Sequence, residues 1–171
     1  MQPAQEREFV EYVTARLPAL RRLAYALCGD EHRGDDIVQQ AMTKLYTHWR
    51  RASAATSLDN YVRTILVRVY LDEKRLAWSS RVRLSASPPD VPAPEGPDLA
   101  DRAMLRDCLA KVPRRQRAVL VLRFLYDLPI DEVAQALGCS TGTVKSQTSH
   151  GLATLRRLMG PRSVAALGNG S

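Results

Sequence analysis

No aspartate or glutamate follows Glu132, so the C-terminal stretch carries Lys145, Arg156, Arg157 and Arg162 with no acid among them. A surface built from such a stretch can approach phosphates and base edges without repulsion. Cysteine is scarce: Cys28, Cys108 and Cys139 are far apart and form no CxxC, and His32, His48 and His150 are equally scattered. No metal site is spelled out, and the expectation is three reduced thiols in a cytoplasmic protein. No run approaches the roughly 18 to 20 apolar residues of a spanning helix, so membrane insertion is not expected. The opening MQPAQEREFVEYV holds acids and no apolar signal core. Alternation of period two, a glycine-rich phosphate loop and internal repeats are also lacking. These absences argue against a sheet, a P-loop site and a solenoid.

What is there reads as helix. At 171 residues and 45% hydrophobic content, the chain can form one domain or two small ones with real cores. A formal charge of +7, with arginine supplying most of the excess, points to a polyanionic partner. The composition breaks once, at SSRVRLSASPPDVPAPEGPD (Ser79 to Asp98), whose prolines cannot continue a helix. The expected architecture is therefore all-α, with two small helical domains joined by a flexible Pro-rich linker. The expected boundaries are 1–78, 79–98 and 99–160, followed by a frayed tail, 161–171.

In the first domain Phe9, Val10, Val13 and Leu17 form a stripe that Leu20, Leu23, Ala24 and Leu27 continue. Pro18 is expected to kink or restart the helix, and Gly29 to end it. Asp35 and Asp36 suit a helix N-terminus. Ile37, Val38, Ala41, Leu45 and Trp49 would bury one face, leaving Gln39, Gln40, Thr43, Lys44 and Thr47 outward. A third helix would start near Leu58, with Tyr61, Ile65, Leu66, Val69 and Leu76 inside and Arg63, Arg68, Lys74 and Arg75 outside.

In the second domain, Leu99, Ala103, Cys108, Leu109 and Val112 predict a helix ending before Pro113. Arg114 to Tyr126 predicts another, with Val119, Leu120, Leu122 and Phe124 inward. Then PIDEVAQAL opens with proline and two acids, and Gly138 suits a left-handed stop. Ser140 can cap the next helix, with Thr143 three residues on. Helix, glycine turn, helix is the geometry that lays a second helix in a major groove. A wheel on that helix gathers Val144, Thr148, Gly151, Leu155 and Leu158 on one side, with Leu152 at the border. Ser146, Ser149, His150, Ala153 and Arg157 lie opposite, flanked by Lys145 and Gln147.

PIDEVAQALGCSTGTVKSQ resembles region 4, the −35-reading segment of extracytoplasmic-function (ECF) sigma factors in the sigma-70 family. LCGDEHRGDDIVQQAMTKLYTHW is similar to that family's region 2 core-binding helix, and YVRTILVRVYLDEKR to the helix that recognises and opens the −10 element. The AYALCGD and KLYTHW phrasing is nearest an actinobacterial subgroup. The resemblance implies a non-enzymatic transcription initiation factor, without cofactor or metal, that binds RNA polymerase core and reads both promoter elements. It implies that Asp35, Asp36, Gln39, Gln40 and Lys44 face the β′ clamp helices. Tyr61, Arg63, Arg68, Tyr70, Lys74 and Arg75 would meet −10 DNA by stacking and by holding phosphates. Ser140, Thr141, Thr143, Lys145, Ser146, Gln147, Ser149 and His150 would meet the −35 element.

Further implied partners are the β flap and an anti-sigma protein, with the free protein a monomer in the cytoplasm, nucleoid-associated when bound to polymerase. The pattern departs at Arg68, where the family often has Asn, and at Tyr61, where Trp is common. Gln147 and His150 stand where many relatives carry Arg, whereas Lys145 and Ser146 match. Two other classes stay in view. A stand-alone dimeric regulator would need a dimerisation or receiver domain that the first lobe does not spell. A metal-dependent enzyme would need Asp30, Glu31, Asp35 and Asp36 to converge, which adjacent acids on a helix do not do.

Overall fold

A computed structural model of the chain describes residues 1–73 and 99–160. These are all-α, with no strand among the described residues, and fall into two compact units.

The first unit starts with α1 (Pro3–Cys28), ended by Gly29 at φ 70, whose N–H bonds back to Tyr25 O. This left-handed residue is the stop that the sequence predicts. Pro18 neither breaks the helix nor restarts it. It faces solvent, as does Thr14, whose carbonyl loses its partner to the missing N–H, while Val13, Leu17 and Leu20 continue the apolar stripe inward past it. Val10, expected in that stripe, is exposed.

Asp30 caps α2 (Glu31–Thr47) by accepting from Arg33 N at 3.0 Å. The helix thus starts earlier than expected, and Asp35 and Asp36 lie in its second turn rather than at its N-terminus. Ile37, Val38, Ala41, Leu45 and Trp49 are all buried, as the wheel requires. Trp49, however, begins a separate short helix, α3 (Trp49–Ser53), after His48 closes α2 with Nδ1 2.9 Å from Lys44 O. Phe9 meets both Tyr46 and Trp49 edge to face, at 5.2 and 5.3 Å between centroids.

Ser57 caps α4 (Leu58–Leu71), and Asp59 in its first turn is held by α1: Tyr12 donates to Oδ1 and Arg16 to Oδ2, both at 2.8 Å. Burial, then the bond to Asp59, pushes the Tyr12 hydroxyl well above its ordinary range. The inward face of α4 is Val62, Leu66, Val67, Val69 and Tyr70, not the expected Tyr61 and Ile65, which are half-buried. Just past the helix, buried Glu73 accepts from Arg33 at 2.9 Å, closing α2 onto α4.

The second unit comprises α5 (Leu99–Lys111), α6 (Arg114–Leu120), α7 (Ile130–Leu137) as far as Ala134, and α8 (Thr141–Met159). Cys108, Leu109, Val112, Leu120 and Leu155 form its core, with Leu105, Leu152 and Met159 packed on it. Ala103 is exposed, contrary to expectation. Arg117 is buried and donates to Ala110 O at 2.6 Å and Val112 O at 3.0 Å, so a side chain satisfies the carbonyls that end α5.

Beyond Leu120, α6 widens into a π-helical turn, Val121–Leu125, with Tyr126 N bonded to Val121 O five residues back. The extra residue rotates the side chains beyond it, so Phe124 and Leu125 come out to solvent, 43% and 52% exposed. The sequence pattern places Phe124 inside, and the π-helical turn overrides it. Leu158 also lies outside, in the last turn of α8.

Replacing Arg33 with Ala removes a cation from beside the buried Glu73 carboxylate and should cost about 3 kcal/mol in denaturant unfolding, whereas the Arg33→Met, Glu73→Leu double variant should recover most of it. Burial pushes the Cys28 thiol up to about 11, against the lowering effect of its bond to Asp30 O, so it stays neutral at pH 8. Iodoacetamide should therefore label half-buried Cys139 first and reach Cys28 only on unfolding, as peptide mapping would report.

Candidate nucleic-acid interface

The turn between α7 and α8 is built from local chemistry. Gly138 adopts φ 66, where a side chain would be strained, and Cys139 N bonds to Ala134 O at 3.0 Å. Ser140 Oγ accepts from Thr143 N at 3.1 Å and lies 3.0 Å from Thr143 Oγ1. The hydroxyls of Ser140 and Thr143 thus form the cap itself.

Inside α8, Val144 and Leu155 are buried, and Gly151 lies where a Cβ would come within 3.1 Å of Leu120. That close approach seats α8 on α6 and fixes which face is free. Thr141, Lys145, Ser146, Ser149 and His150 are exposed on it, with Ala153 and Arg157, while Gln147 and Thr143 are half-buried. The outward set read from the sequence is thus together on one surface, with Gln147 at its edge. α8 has no acid anywhere along its length.

The helix expected to contact polymerase is sorted less evenly. Gln39, Gln40 and Lys44 are exposed along α2, joined by Thr43 and Thr47. Asp35 is engaged within the unit: Arg21 Nε donates to Oδ1 at 2.8 Å and Nη2 to Oδ2 at 3.0 Å. That bidentate pairing holds the Asp35 carboxyl below the usual carboxylate range. Asp36 is half-buried.

On α4, Arg68 is exposed, Tyr61 is half-buried, and Arg63 donates to Asn60 Oδ1 at 2.6 Å. Tyr61, Thr64, Ile65 and Arg68 share one partly open face. Tyr70, expected to stack on a base, is fully buried and is corrected to a core residue. Its register carries it inward with Val62, Leu66 and Val69. Lys74 and Arg75, with Leu76 and Trp78, lie outside the described residues.

Sequence reasoning missed an apolar groove in the second unit, with a cavity of about 220 Å³. Leu105, Leu120, Phe124, Leu125, Leu152 and Met159 are among its lining residues. Its only sequence signal was the Phe124-Leu125 pair, which helical periodicity assigned half to the interior.

Residues 12–80 match the model of Sigma-70 region 2, and residues 102–155 that of Sigma-70, region 4. The RNA polymerase sigma-E factor of Streptomyces coelicolor is 35% identical over 165 residues, covering 93% of this chain and 90% of that protein. The ECF RNA polymerase sigma factor SigE of Mycolicibacterium smegmatis is 29% identical over 163 residues, covering 90% of this chain and 62% of that one. Among solved structures, the sigma factor RpoE in complex with the anti-sigma factor NepR, from Bartonella quintana, shares the fold at a TM-score of 0.68 and 22% identity, covering 90% of this chain and 97% of that one. CnrH in complex with the cytosolic domain of CnrY does so at 0.63 and 21%, covering 90% of this chain and 88% of that one. The chain belongs to the sigma-70 family of RNA polymerase sigma factors. Within it, it is an ECF-type alternative sigma factor, a transcription initiation factor.

The cap offers a check on how α8 is held. Ser140→Ala removes the acceptor for Thr143 N and should cost about 1 kcal/mol. Faster amide exchange at Thr143 and Val144, with α6 unaffected, would mark the loss as local.

Proposed function

We propose that the two units divide promoter recognition between them. Residues 1–78 bind core polymerase and act on the −10 element; residues 99–160 read the −35 element. Residues 79–98 tether them, and 161–171 follow as a tail. The observation that carries this reading is the capped, acid-free outer face of α8, whose short polar side chains and Lys145 suit a major groove.

On that face Lys145 serves a phosphate, and Gln147 favours adenine through N6 and N7. Fewer arginines than in many relatives mean fewer released counterions and a weaker salt dependence of −35 binding.

In the first unit Gln39, Gln40 and Lys44 face the β′ clamp helices. Asp36 contributes at the edge, and Asp35 acts through Arg21 by fixing α1 against α2. Arg68 and Tyr61 face −10 DNA, Arg63 holds a phosphate from beside them, and Lys74 and Arg75 add cations further on. The apolar groove beside Phe124 and Leu125 supports docking of an element of the polymerase β flap. Fully extended, the linker spans up to about 60–70 Å, enough for sites one or two helical turns of DNA apart. An anti-sigma protein is a further partner, as the anti-sigma factor NepR is for RpoE. The free protein is a cytoplasmic monomer.

Run-off transcription with purified core polymerase and a genomic promoter library tests the reading. Core-dependent starts sharing two upstream elements are expected; a strong shift of the same fragments without polymerase would favour a stand-alone regulator instead. On a recovered promoter, Lys145→Ala should weaken holoenzyme binding across sequences and lower the salt slope by about one unit.

A further inference from the structure

The apolar groove of the second unit lies at the end of α8. Met159, one of its lining residues, is the last residue of that helix. Gly160 follows at φ 74 and ψ 174, a conformation that essentially glycine alone adopts, and its N–H bonds back to Arg156 O. Pro161 comes next, so the helix stops at the groove's edge rather than carrying the chain past it.

Eleven residues follow Gly160, PRSVAALGNGS, outside the described ones. One run among them is apolar, Val164-Ala165-Ala166-Leu167, with proline, arginine and serine before it and glycine, asparagine and serine after it. The groove offers that run a way out of water. Phe124 and Leu125, 43% and 52% exposed, both line it and present an apolar surface to be covered. A cavity of roughly 150 Å³ takes a benzene-sized group, so one of about 220 Å³ admits a leucine side chain. Reach is no obstacle, since an extended chain places Leu167 up to roughly 25 Å from Gly160. A segment tethered this closely meets the groove at an effective concentration of about millimolar, so a contact too weak to hold a separate peptide is populated within the chain.

We propose that in the free protein the run Val164 to Leu167 seats Leu167 in this groove, as an intramolecular occupant that any partner element docking there must displace. The displacement of the tail by polymerase rests on the groove being a polymerase contact; the seating of the tail does not.

Methyl-labelled full-length chain tests the seating. Cross-relaxation from the Leu167 methyls to those of Leu125 and Met159 is expected, with an intensity unchanged on dilution. Ending the chain at Gly160, or Leu167→Asp in the full chain, should abolish it, move the Leu125 and Met159 methyl resonances in the same direction, and raise the fluorescence of added anilinonaphthalene sulfonate. Neither change touches the core of the unit. Leu125→Asp, at an exposed position on the other side of the contact, should release the tail as well. Leu125 and Met159 resonances that are identical with and without the tail overturn the proposal. Cross-relaxation that fades on dilution also overturns it and assigns the groove to a second copy of the chain.

Titration of core polymerase separates this proposal from the reading of the groove. If the groove is open in roughly a third of free molecules, ending the chain at Gly160 should tighten core binding about threefold, and Leu167→Asp should match it. In the shortened chain Leu125→Asp should weaken core binding. Core binding indifferent to Leu125→Asp there would overturn the groove as a polymerase contact and leave the seated tail standing.

Discussion

Each unit hangs on one helix crossing, and each crossing passes over a glycine. At Gly34, on α2, a Cβ would lie 3.4 Å from Tyr25 N, so α2 rests almost directly on the backbone of α1. At Gly151, on α8, a Cβ would press to 3.1 Å from Leu120 on α6. A mid-helix glycine costs roughly 1 kcal/mol against alanine. Here that cost is set against the dispersion gained when helices approach without a side chain between them. The outward faces result from these crossings. With Gly34, Ile37, Val38 and Ala41 inside, Gln39, Gln40 and Lys44 have nowhere to go but solvent; with Val144, Gly151 and Leu155 inside, Lys145, Ser146 and Ser149 are turned out in the same way.

Polar interactions add to these crossings in the first unit. Tyr12 and Arg16 hold Asp59, Arg21 holds Asp35, and Arg33 holds Glu73, so arginines account for much of the stitching in the first unit. The pairs differ in consequence. Arg16–Asp59 and Arg21–Asp35 are solvent-exposed on both sides and add little to stability. Arg33–Glu73 buries its carboxylate and acts instead as a constraint on register, penalising any packing that separates α2 from the end of α4. Part of the positive charge that suggested a polyanionic partner is therefore internal wiring.

What could be read from the sequence was local. Gly138 and Ser140 announce their conformations through their own chemistry, and the apolar positions of α2 leave one choice of inward face. Where local rules fall silent, helical periodicity alone misplaces side chains. Along α4, Val62, Ile65, Leu66, Val67, Val69 and Tyr70 are apolar on nearly every side, so a wheel could not tell that Tyr70 rather than Tyr61 goes inside. In α6 the π-helical turn adds a residue that no 3.6-residue period contains, which is why Phe124 was placed in the core. Pro18 looked like a break because the rule for proline weighs one lost bond, while packing along the whole length of α1 weighs many. The pairing of Asp35 with Arg21 spans two helices and leaves no trace in spacing.

The separation of tasks within α8 has a bearing on descent. The side chains that seat this helix, Val144, Gly151 and Leu155, are not those on its outward face. Lys145, Ser146, Ser149 and His150 can therefore be exchanged with little penalty in foldability. A duplicated copy of such a gene is free to wander toward new operons one exposed residue at a time, its scaffold already secured.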